Sequence, residues 1–330
     1  MTADPCSILA LSLSPGLGLA AVRRALAASD AAKMPLSALL SLPWRDASKL
    51  LPPGLHVTAD DFRRCTAAVQ DRARLLLKRT AEAGVQTLSI VQEDYPTLLR
   101  DALGNAAPPL LFVAGDLALL HTPAAAVVGA RDPSPQGKRL AAACAEILSR
   151  EKATIVSGGA RGVDSAAHES ALRSGGKTVV VLPQGLLTYR GPAAIFEAVQ
   201  DGHATLLSQF APDMHWETHA AVTRNATISA LSKLLCVLEP KKTGGSVCTA
   251  RCALAQGKRV LVYPAKGFES VTQSLARGGA LELIKGASPV ELDALPDLWR
   301  AADMSRPEQT TFPRAQGFRA SSESVFEKGP

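Results

Sequence analysis

Short apolar runs recur along the middle of the chain, and each is bounded by glycine, proline or charged residues. Continuous apolar runs, unlike alternating polar and apolar positions, are typical of strands that a sheet buries on both faces. The pattern therefore predicts buried strands at residues 124–128, 154–157, 178–182, 205–210, 234–238 and 259–263.

Helical patterns separate most of these runs, at residues 136–150, 163–174, 193–200 and 246–256. The last is followed by Gly257, a residue type that favours helix C-termini. Strands that alternate with helices in this way form a parallel, doubly wound sheet with right-handed crossovers. The predicted fold class is α/β with a mainly parallel sheet, and ligands are expected at the carboxyl ends of its strands.

Glycine and arginine occur together in two turns at those strand ends, residues 128–131 (VGAR) and 157–164 (SGGARGVD). Glycine lets the backbone approach a ligand closely, and the first N–H groups of the following helix favour an anion. The guanidinium group of arginine matches phosphate oxygens. With a third glycine-containing turn at 242–250, the pattern predicts a phosphate-binding crevice for a nucleotide or a nucleic-acid backbone.

Four motifs occur in order along this region: Gly129-Ala130-Arg131 with Ser134 and Gly137, SGGARGVD with His168 one turn later, RNATISALS at 224–232, and GSVCTA at 245–250. Together they resemble the DprA/Smf family of bacterial DNA-processing proteins, over roughly residues 85–270. The resemblance implies an extended Rossmann-like domain that binds single-stranded DNA, forms a homodimer and delivers the strand to the RecA recombinase.

The motifs and the resemblance together predict a set of phosphate-contacting residues. Where the family usually has further arginines around the Arg-Asn pair, this chain has Thr223 and Ala226, so the cationic cluster is reduced to Arg224. The predicted nucleic-acid or phosphate-binding residues are Gly129, Arg131, Ser134, Ser157, Gly158, Gly159, Arg161, Arg224, Asn225, Gly245, Ser246 and Thr249. Singly, such arginines could instead pair with carboxylates such as Asp132 or Asp164.

Composition divides the chain into three parts. Residues 1–80 are rich in alanine and leucine and predict a small helical accessory domain, whose Pro-Gly-x-Gly turn at 15–18 resembles a helix-hairpin-helix module or only joins two packed helices. Residues 85–285 form the predicted sheet domain. Residues 286–330 are a C-terminal extension, and the polar stretch 304–330 is expected to be disordered.

Charge and cysteine content favour a cytoplasmic protein with a polyanionic partner. The net charge is +6, and six scattered cysteines give no sign of a disulfide framework. No apolar stretch approaches the roughly 18 residues of a membrane span, so no membrane association is expected. Aromatic residues are 4% of the chain, so base stacking is expected to contribute little.

No catalytic group, metal site or cofactor is predicted. His215 and His219 have the spacing of two zinc ligands but lack the glutamate position of a zinc protease motif, and Cys248 and Cys252 look like small core residues. Two alternatives stay open. One is a nucleotide phosphoribohydrolase of the lonely-guy type, although the region after Gly245 lacks that signature's glutamate. The other is a sensor that binds a small nucleotide in the same crevice.

Overall fold

A computed structural model describes residues 4–50, 58–242, 244–282 and 289–304. These residues contain a single sheet with nine strands. The strands are β1 (Gln86–Ser89), β2 (Leu110–Gly115), β3 (Ala124–Gly129), β4 (Thr154–Gly158), β5 (Thr178–Leu182), β6 (Ala204–Ser208), β7 (Leu234–Leu238), β8 (Arg259–Tyr263) and β9 (Leu281–Glu282).

Helices precede, connect and follow the strands. Six lie before the sheet: α1 (Pro5–Leu13), α2 (Leu19–Ala31), α3 (Leu36–Ser41), α4 (Trp44–Leu50), α5 (Ala59–Arg64) and α6 (Ala67–Glu82). The others are α7 (Thr97–Leu103), α8 (Pro135–Arg150), α9 (Val163–Arg173), α10 (Ala193–Gln200), α11 (Thr218–Ala230), α12 (Gly245–Ala255), α13 (Glu269–Arg277) and α14 (Leu295–Met304).

The strand order is β1-β2-β6-β5-β4-β3-β7-β8-β9. The seven neighbouring strands β6, β5, β4, β3, β7, β8 and β9 run parallel to one another. Strand β2 pairs antiparallel with β6, and β1 pairs antiparallel with β2. The predicted α/β fold with a mainly parallel sheet is confirmed, and the two antiparallel strands extend one edge. After β3 the chain proceeds through β4, β5 and β6 on one side, then returns to place β7 on the other side of β3. The topological switch point therefore lies between β3 and β7.

Each face of the sheet is covered by helices. In β3, Ala125 and Val127 belong to the core that contains residues of α8 and α9, such as Leu140 and Ala167. The alternate positions of β3, for example Ala126, belong to the larger core that includes residues of α11 and α12. Burial on both faces is the physical reason for the uninterrupted apolar strands.

The N-terminal helices share that larger core. Ile8 and Leu11 of α1 and Val22 of α2 are buried in the same cluster as Phe112 of β2.

At the predicted hairpin, Gly16 has a positive φ of 75°, and Nη1 of Arg64 donates to the carbonyl of Pro15 at 3.1 Å. The role of this turn, as a helix-hairpin-helix module or as a joint between two packed helices, stays a prediction. The domain boundaries themselves stay a prediction, and the predicted disordered tail lies almost wholly outside the described residues.

Within the described residues, no helix combines the length and the apolar character that a membrane crossing requires.

Candidate nucleic-acid interface

An open pocket of about 500 Å³ lies at the carboxyl edge of the sheet, over the ends of β3, β4 and β5. The turn after each of these strands contributes to the wall, and the segment leading into α11, together with α11 itself, closes the far side. The lining residues are Arg131, Gly159, Ala160, Arg161, Leu182, Pro183, Gln184, Tyr189, Trp216 and Arg224.

The two arginines at the rim differ in their pairing. Nη2 of Arg161 donates to Oδ2 of Asp132 at 2.8 Å, and both side chains are exposed. Arg131 is also exposed, and among the described residues its side chain has neither a hydrogen-bond partner nor an ion-pair partner. Arg131 is therefore a cation at the mouth of the pocket whose charge the described part of the chain leaves uncompensated.

Arg224 forms the floor of the pocket and is only 7% exposed. Its Nη1 donates to the carbonyl oxygen of Val181 at 2.6 Å, while its buried Nε has no hydrogen-bond partner among the described residues. Burial lowers the pKa of Arg224, and the nearby charge of Arg131 lowers it further. Two guanidinium groups therefore face the same pocket, and each favours an anion between them.

Arg224 and a buried carboxylate, that of Asp164, share the space beside Gly158. A Cβ atom at position 158 would overlap both Nη1 of Arg224 and Oδ2 of Asp164, so only glycine leaves room for the two groups. Burial raises the pKa of Asp164 to about 6, although the charge of Arg224 opposes that shift. The first glycine of the SGG pattern is thus required by the packing of Arg224 and Asp164.

His168 lies one turn along α9 from Asp164 and is buried. Its Nδ1 is 2.7 Å from Oγ1 of Thr178, whose hydroxyl donates to the carbonyl of Ile155, so Nδ1 carries the proton that His168 donates to Thr178. Burial lowers the pKa of His168 to about 4, so the ring is neutral at pH 7. Its role is structural, and it does not line the pocket.

Aromatic side chains stand beside the arginines. Trp216 is 48% exposed and Tyr189 is half-buried, and both line the pocket. The ring of Phe196 packs against Tyr189 with a centroid separation of 5.9 Å. Sequence reasoning missed these residues because total aromatic content does not reveal clustering.

Besides Gly158, three further residues of the predicted set make contacts within the fold and do not line the pocket. The buried hydroxyl of Ser157 donates to the carbonyl of Val127 at 2.6 Å, and its role as a phosphate hydroxyl stays a prediction. A Cβ at Gly129 would overlap the carbonyl of Leu238, so this glycine serves close packing between β3 and β7. Ser134 caps α8 through its Oγ, which accepts from the Gly137 N–H, and binds the carboxylate of Glu239.

The remaining predicted residues form a separate group, in which Asn225 of α11 meets the first turn of α12. The Asn225 side chain donates through Nδ2 to the carbonyl of Gly245 at 3.2 Å, and the Thr249 hydroxyl donates to the same carbonyl at 3.0 Å. Ser246 is buried beside them, whereas Gly245 is exposed. None of these residues lines the pocket, and a phosphate-contacting role for them stays a prediction.

The histidine pair and the cysteine pair, each with the spacing of metal ligands, make ordinary protein contacts. His219 Nδ1 lies 3.0 Å from Oε2 of Glu217, and both side chains are exposed. Cys248 and Cys252 share a face of α12, where interaction with Cys252 lowers the pKa of Cys248 to about 6. In the part of the chain that the structure describes, no cluster of three or more histidine, cysteine or carboxylate side chains is arranged to hold a metal.

Comparison with known proteins agrees with this architecture. Residues 86–295 match the family described as DNA recombination-mediator protein A. The DNA processing protein DprA of Bacillus subtilis is 29% identical over 280 residues, which cover 82% of this chain and 90% of that protein. Protein Smf of Escherichia coli is 40% identical over 159 residues, which cover 48% of this chain and only 42% of that protein.

Solved structures show the same fold. DprA from Streptococcus pneumoniae superposes with a TM-score of 0.66 at 26% identity, over 89% of this chain and 98% of that one. DprA from Helicobacter pylori, whose structure was reported for its single-stranded DNA binding mode, superposes with a TM-score of 0.53 at 26% identity, over 66% of this chain and 96% of that one. The sequence match covers most of the sheet and the pocket beside it, and the chain therefore belongs to the DNA recombination-mediator protein A family.

Proposed function

We propose that this protein binds single-stranded DNA in the pocket over β3, β4 and β5, and that binding depends on Arg131. The observation that carries the proposal is the uncompensated Arg131 guanidinium, which faces the same cavity as the buried Arg224. Because the fold holds Arg131 and Arg224 at the same pocket, their positive charges repel each other. A phosphate group relieves that repulsion, and the forked geometry of each guanidinium suits its oxygens.

The aromatic walls favour a single strand over a duplex. Trp216 and Tyr189 offer ring faces at the same opening as Arg131, so one nucleotide can contact an arginine with its phosphate and an aromatic ring with its base. In a duplex the bases are paired and stacked, and their faces are not available to the wall of a pocket. The H. pylori relative, reported to bind single-stranded DNA, supports the same ligand class.

The proposed role of binding is to prepare a strand for homologous recombination, by protecting it and loading the RecA recombinase in natural transformation. The family description as a recombination mediator supports this role. A homodimer is part of the proposal, because two pockets on one assembly would hold a strand at two points and increase avidity. The cytoplasm is the proposed compartment, and the unpaired state of all six cysteines is consistent with it.

The proposal is a binding function without catalysis. The buried Asp164 is turned toward Gly158 and Arg224 beneath the pocket floor, and it is not among the residues that line the cavity. His168 is committed to Thr178. The described lining residues include no carboxylate, thiol or histidine that could act as nucleophile or general base.

The experiment is an anisotropy titration of the full chain with fluorescent oligo-dT and with a duplex of equal length. We expect tighter binding of the single strand, and equal affinity for the two forms would contradict the proposal. A parallel assay for release of base or phosphate from nucleotides tests the absence of catalysis. Turnover above background that a pocket substitution abolishes would favour an enzyme instead.

A further inference from the structure

The carboxyl edge of this sheet has a second place where a ligand would be expected. In open α/β sheets, ligands bind in the crevice at the topological switch point, which in this chain lies between β3 and β7. The pocket described above lies over β3, β4 and β5 and is displaced from that crevice toward one side. The crevice itself is bordered by the first turn of α8 and by Glu239, which directly follows β7.

The chain fills this crevice with its own anion. Glu239 follows β7 directly, is 8% exposed, and has a positive φ of 50°. Its Oε2 accepts a hydrogen bond from the Ser134 N–H at 2.7 Å, and its Oε1 accepts one from the Ser134 hydroxyl. A Cβ at Gly137 would overlap the carboxylate, so the group lies against the first turn of α8.

These contacts are the ones that a phosphate group would make at the same place. A helix N-terminus favours negative charge, and in doubly wound folds the phosphates of a nucleotide lie there. The Glu239 carboxylate meets that preference from within the chain, and its charge repels a second anion. The left-handed backbone of Glu239, which is unfavourable for residues other than glycine, directs the side chain into the crevice.

We propose that Glu239 is a specificity-determining residue that closes the switch-point crevice to mononucleotides and to free phosphate. Anionic ligands are then restricted to the displaced pocket, where a polymer can be held by Arg131. The inference concerns a different site from the proposed DNA pocket and does not require that pocket to bind DNA.

The test is the substitution Glu239→Gly. Glycine removes the carboxylate and adopts a positive φ without strain, so the variant is expected to remain folded. Binding of AMP and of inorganic phosphate is measured by isothermal titration calorimetry for the wild-type chain and the variant. The matched control is Glu93→Gly, which removes the same charge from an exposed turn far along the sequence from the crevice.

We expect E239G to bind AMP at least about tenfold more tightly than the wild type or E93G does. The phosphate of AMP can then take the charged hydrogen bond that the Glu239 carboxylate makes in the wild type, and one such bond has about this effect on affinity. Glu239→Gln is a second variant that keeps an acceptor for the Ser134 N–H, and it should give a smaller gain because the amide still fills the space. If both variants fold cooperatively and neither binds AMP or phosphate better than the wild type, the proposal is wrong. Wild-type binding of AMP as tight as that of E239G would also overturn it.

Oligo-dT binding by the same proteins separates this inference from the proposed function. Glu239 does not line the DNA pocket, so E239G should bind oligo-dT as the wild type does. If the wild type does not bind oligo-dT, the proposed DNA pocket is wrong. The comparison of AMP binding by the wild type and E239G would still test the role of Glu239.

Discussion

Arg224 and Asp164 both reach the space that a side chain at Gly158 would fill, so that opposite charges are buried together at the floor of the pocket. The carboxylate partly offsets the cost of burying the guanidinium, and the carbonyl of Val181 fixes the guanidinium through one hydrogen bond. Arg224 is thereby held in one orientation below Arg131. A fixed cation binds an anion with a smaller loss of side-chain entropy than a flexible one.

The first prediction concerns the space that Gly158 provides. Gly158→Ala would place a methyl group on both Arg224 and Asp164, and overpacking of this kind costs about 1–3 kcal/mol of stability. We expect a lower urea midpoint and weaker oligo-dT binding, because Arg224 must move. The control is Gly175→Ala, where no atom lies within 4 Å of the new methyl group and only the positive φ of 68° is penalised. Equal DNA binding by G158A and the wild type would contradict the assigned role of Arg224.

The second prediction concerns the cation at the mouth of the pocket. Arg131→Ala should weaken oligo-dT binding by roughly tenfold, the value of one charged hydrogen bond, and reduce the log-log salt slope by about 0.7 for the lost phosphate contact. Arg131→Lys should restore binding only in part, because lysine keeps the charge without the fork. Fluorescence anisotropy at several salt concentrations gives both quantities.

Two further arginines serve as controls for Arg131. Arg150 is paired with Glu146 at the far end of α8, so Arg150→Ala should leave both affinity and slope unchanged. Arg161 already pairs with Asp132, so Arg161→Ala should have a smaller effect than Arg131→Ala. Equal losses for Arg131→Ala and Arg150→Ala would mean that net charge, and not the pocket, governs binding.

The third prediction concerns base stacking. Trp216→Ala should lose about 1–3 kcal/mol of oligo-dT affinity, as for one stacked base, while the salt slope stays at the wild-type value because no phosphate contact is removed. Trp216→Phe should retain most of the affinity. An unchanged affinity of Trp216→Ala in the same titration would show that the ring has no contact with the strand.

The fourth prediction concerns pH and two buried groups with opposite effects. The folded pKa of His168 is about 4, below its ordinary value of 6.5, so its contribution to stability is lost as pH falls from about 6.5 to about 4. The folded pKa of Asp164 is about 6, above its ordinary value of 3.8, so its contribution is lost as pH rises from about 4 to about 6. In the wild type the two effects partly cancel.

Replacing either residue should reveal the pH dependence of stability that the other residue causes. His168→Asn keeps a donor for Thr178 and should make the free energy of unfolding less sensitive to acid than in the wild type. Asp164→Asn should make it more sensitive. Urea unfolding across that pH range gives the two slopes, and parallel pH profiles for both variants would contradict the assigned pKa directions.

The central strands could be predicted closely because each is a short apolar run buried on both faces. Predicted strands 178–182, 234–238 and 259–263 coincide with β5, β7 and β8. Strand β2 was not among the predicted strands, and its antiparallel pairing is set by long-range contacts that the local pattern does not reveal. Helix α11 was also missed, because its polar residues, such as Arg224 and Asn225, are buried against the sheet and give no amphipathic stripe.

The candidate site could be predicted in position but not in chemistry. Glycines and arginines at strand ends indicated a site at the carboxyl edge, and Arg131, Arg161 and Arg224 line one pocket there. The sequence could not reveal that Ser157 faces the sheet or that Glu239 occupies the neighbouring crevice. Both depend on which side chain reaches which backbone group after the strands are assembled. A single acid directly after a buried strand, at the edge where ligands bind, was the only signal for Glu239.

Photocrosslinking of an oligo-dT that carries 5-iodouracil tests the central claim most directly, because it reports which side chains contact the bases. After irradiation of the complex and proteolysis, mass spectrometry identifies the modified peptides. The account predicts adducts on the peptides that contain Trp216 or Tyr189, and their loss in Arg131→Ala at the same DNA concentration. Adducts confined to other regions of the chain, with an intact yield in Arg131→Ala, would show that the strand binds elsewhere and would contradict the account.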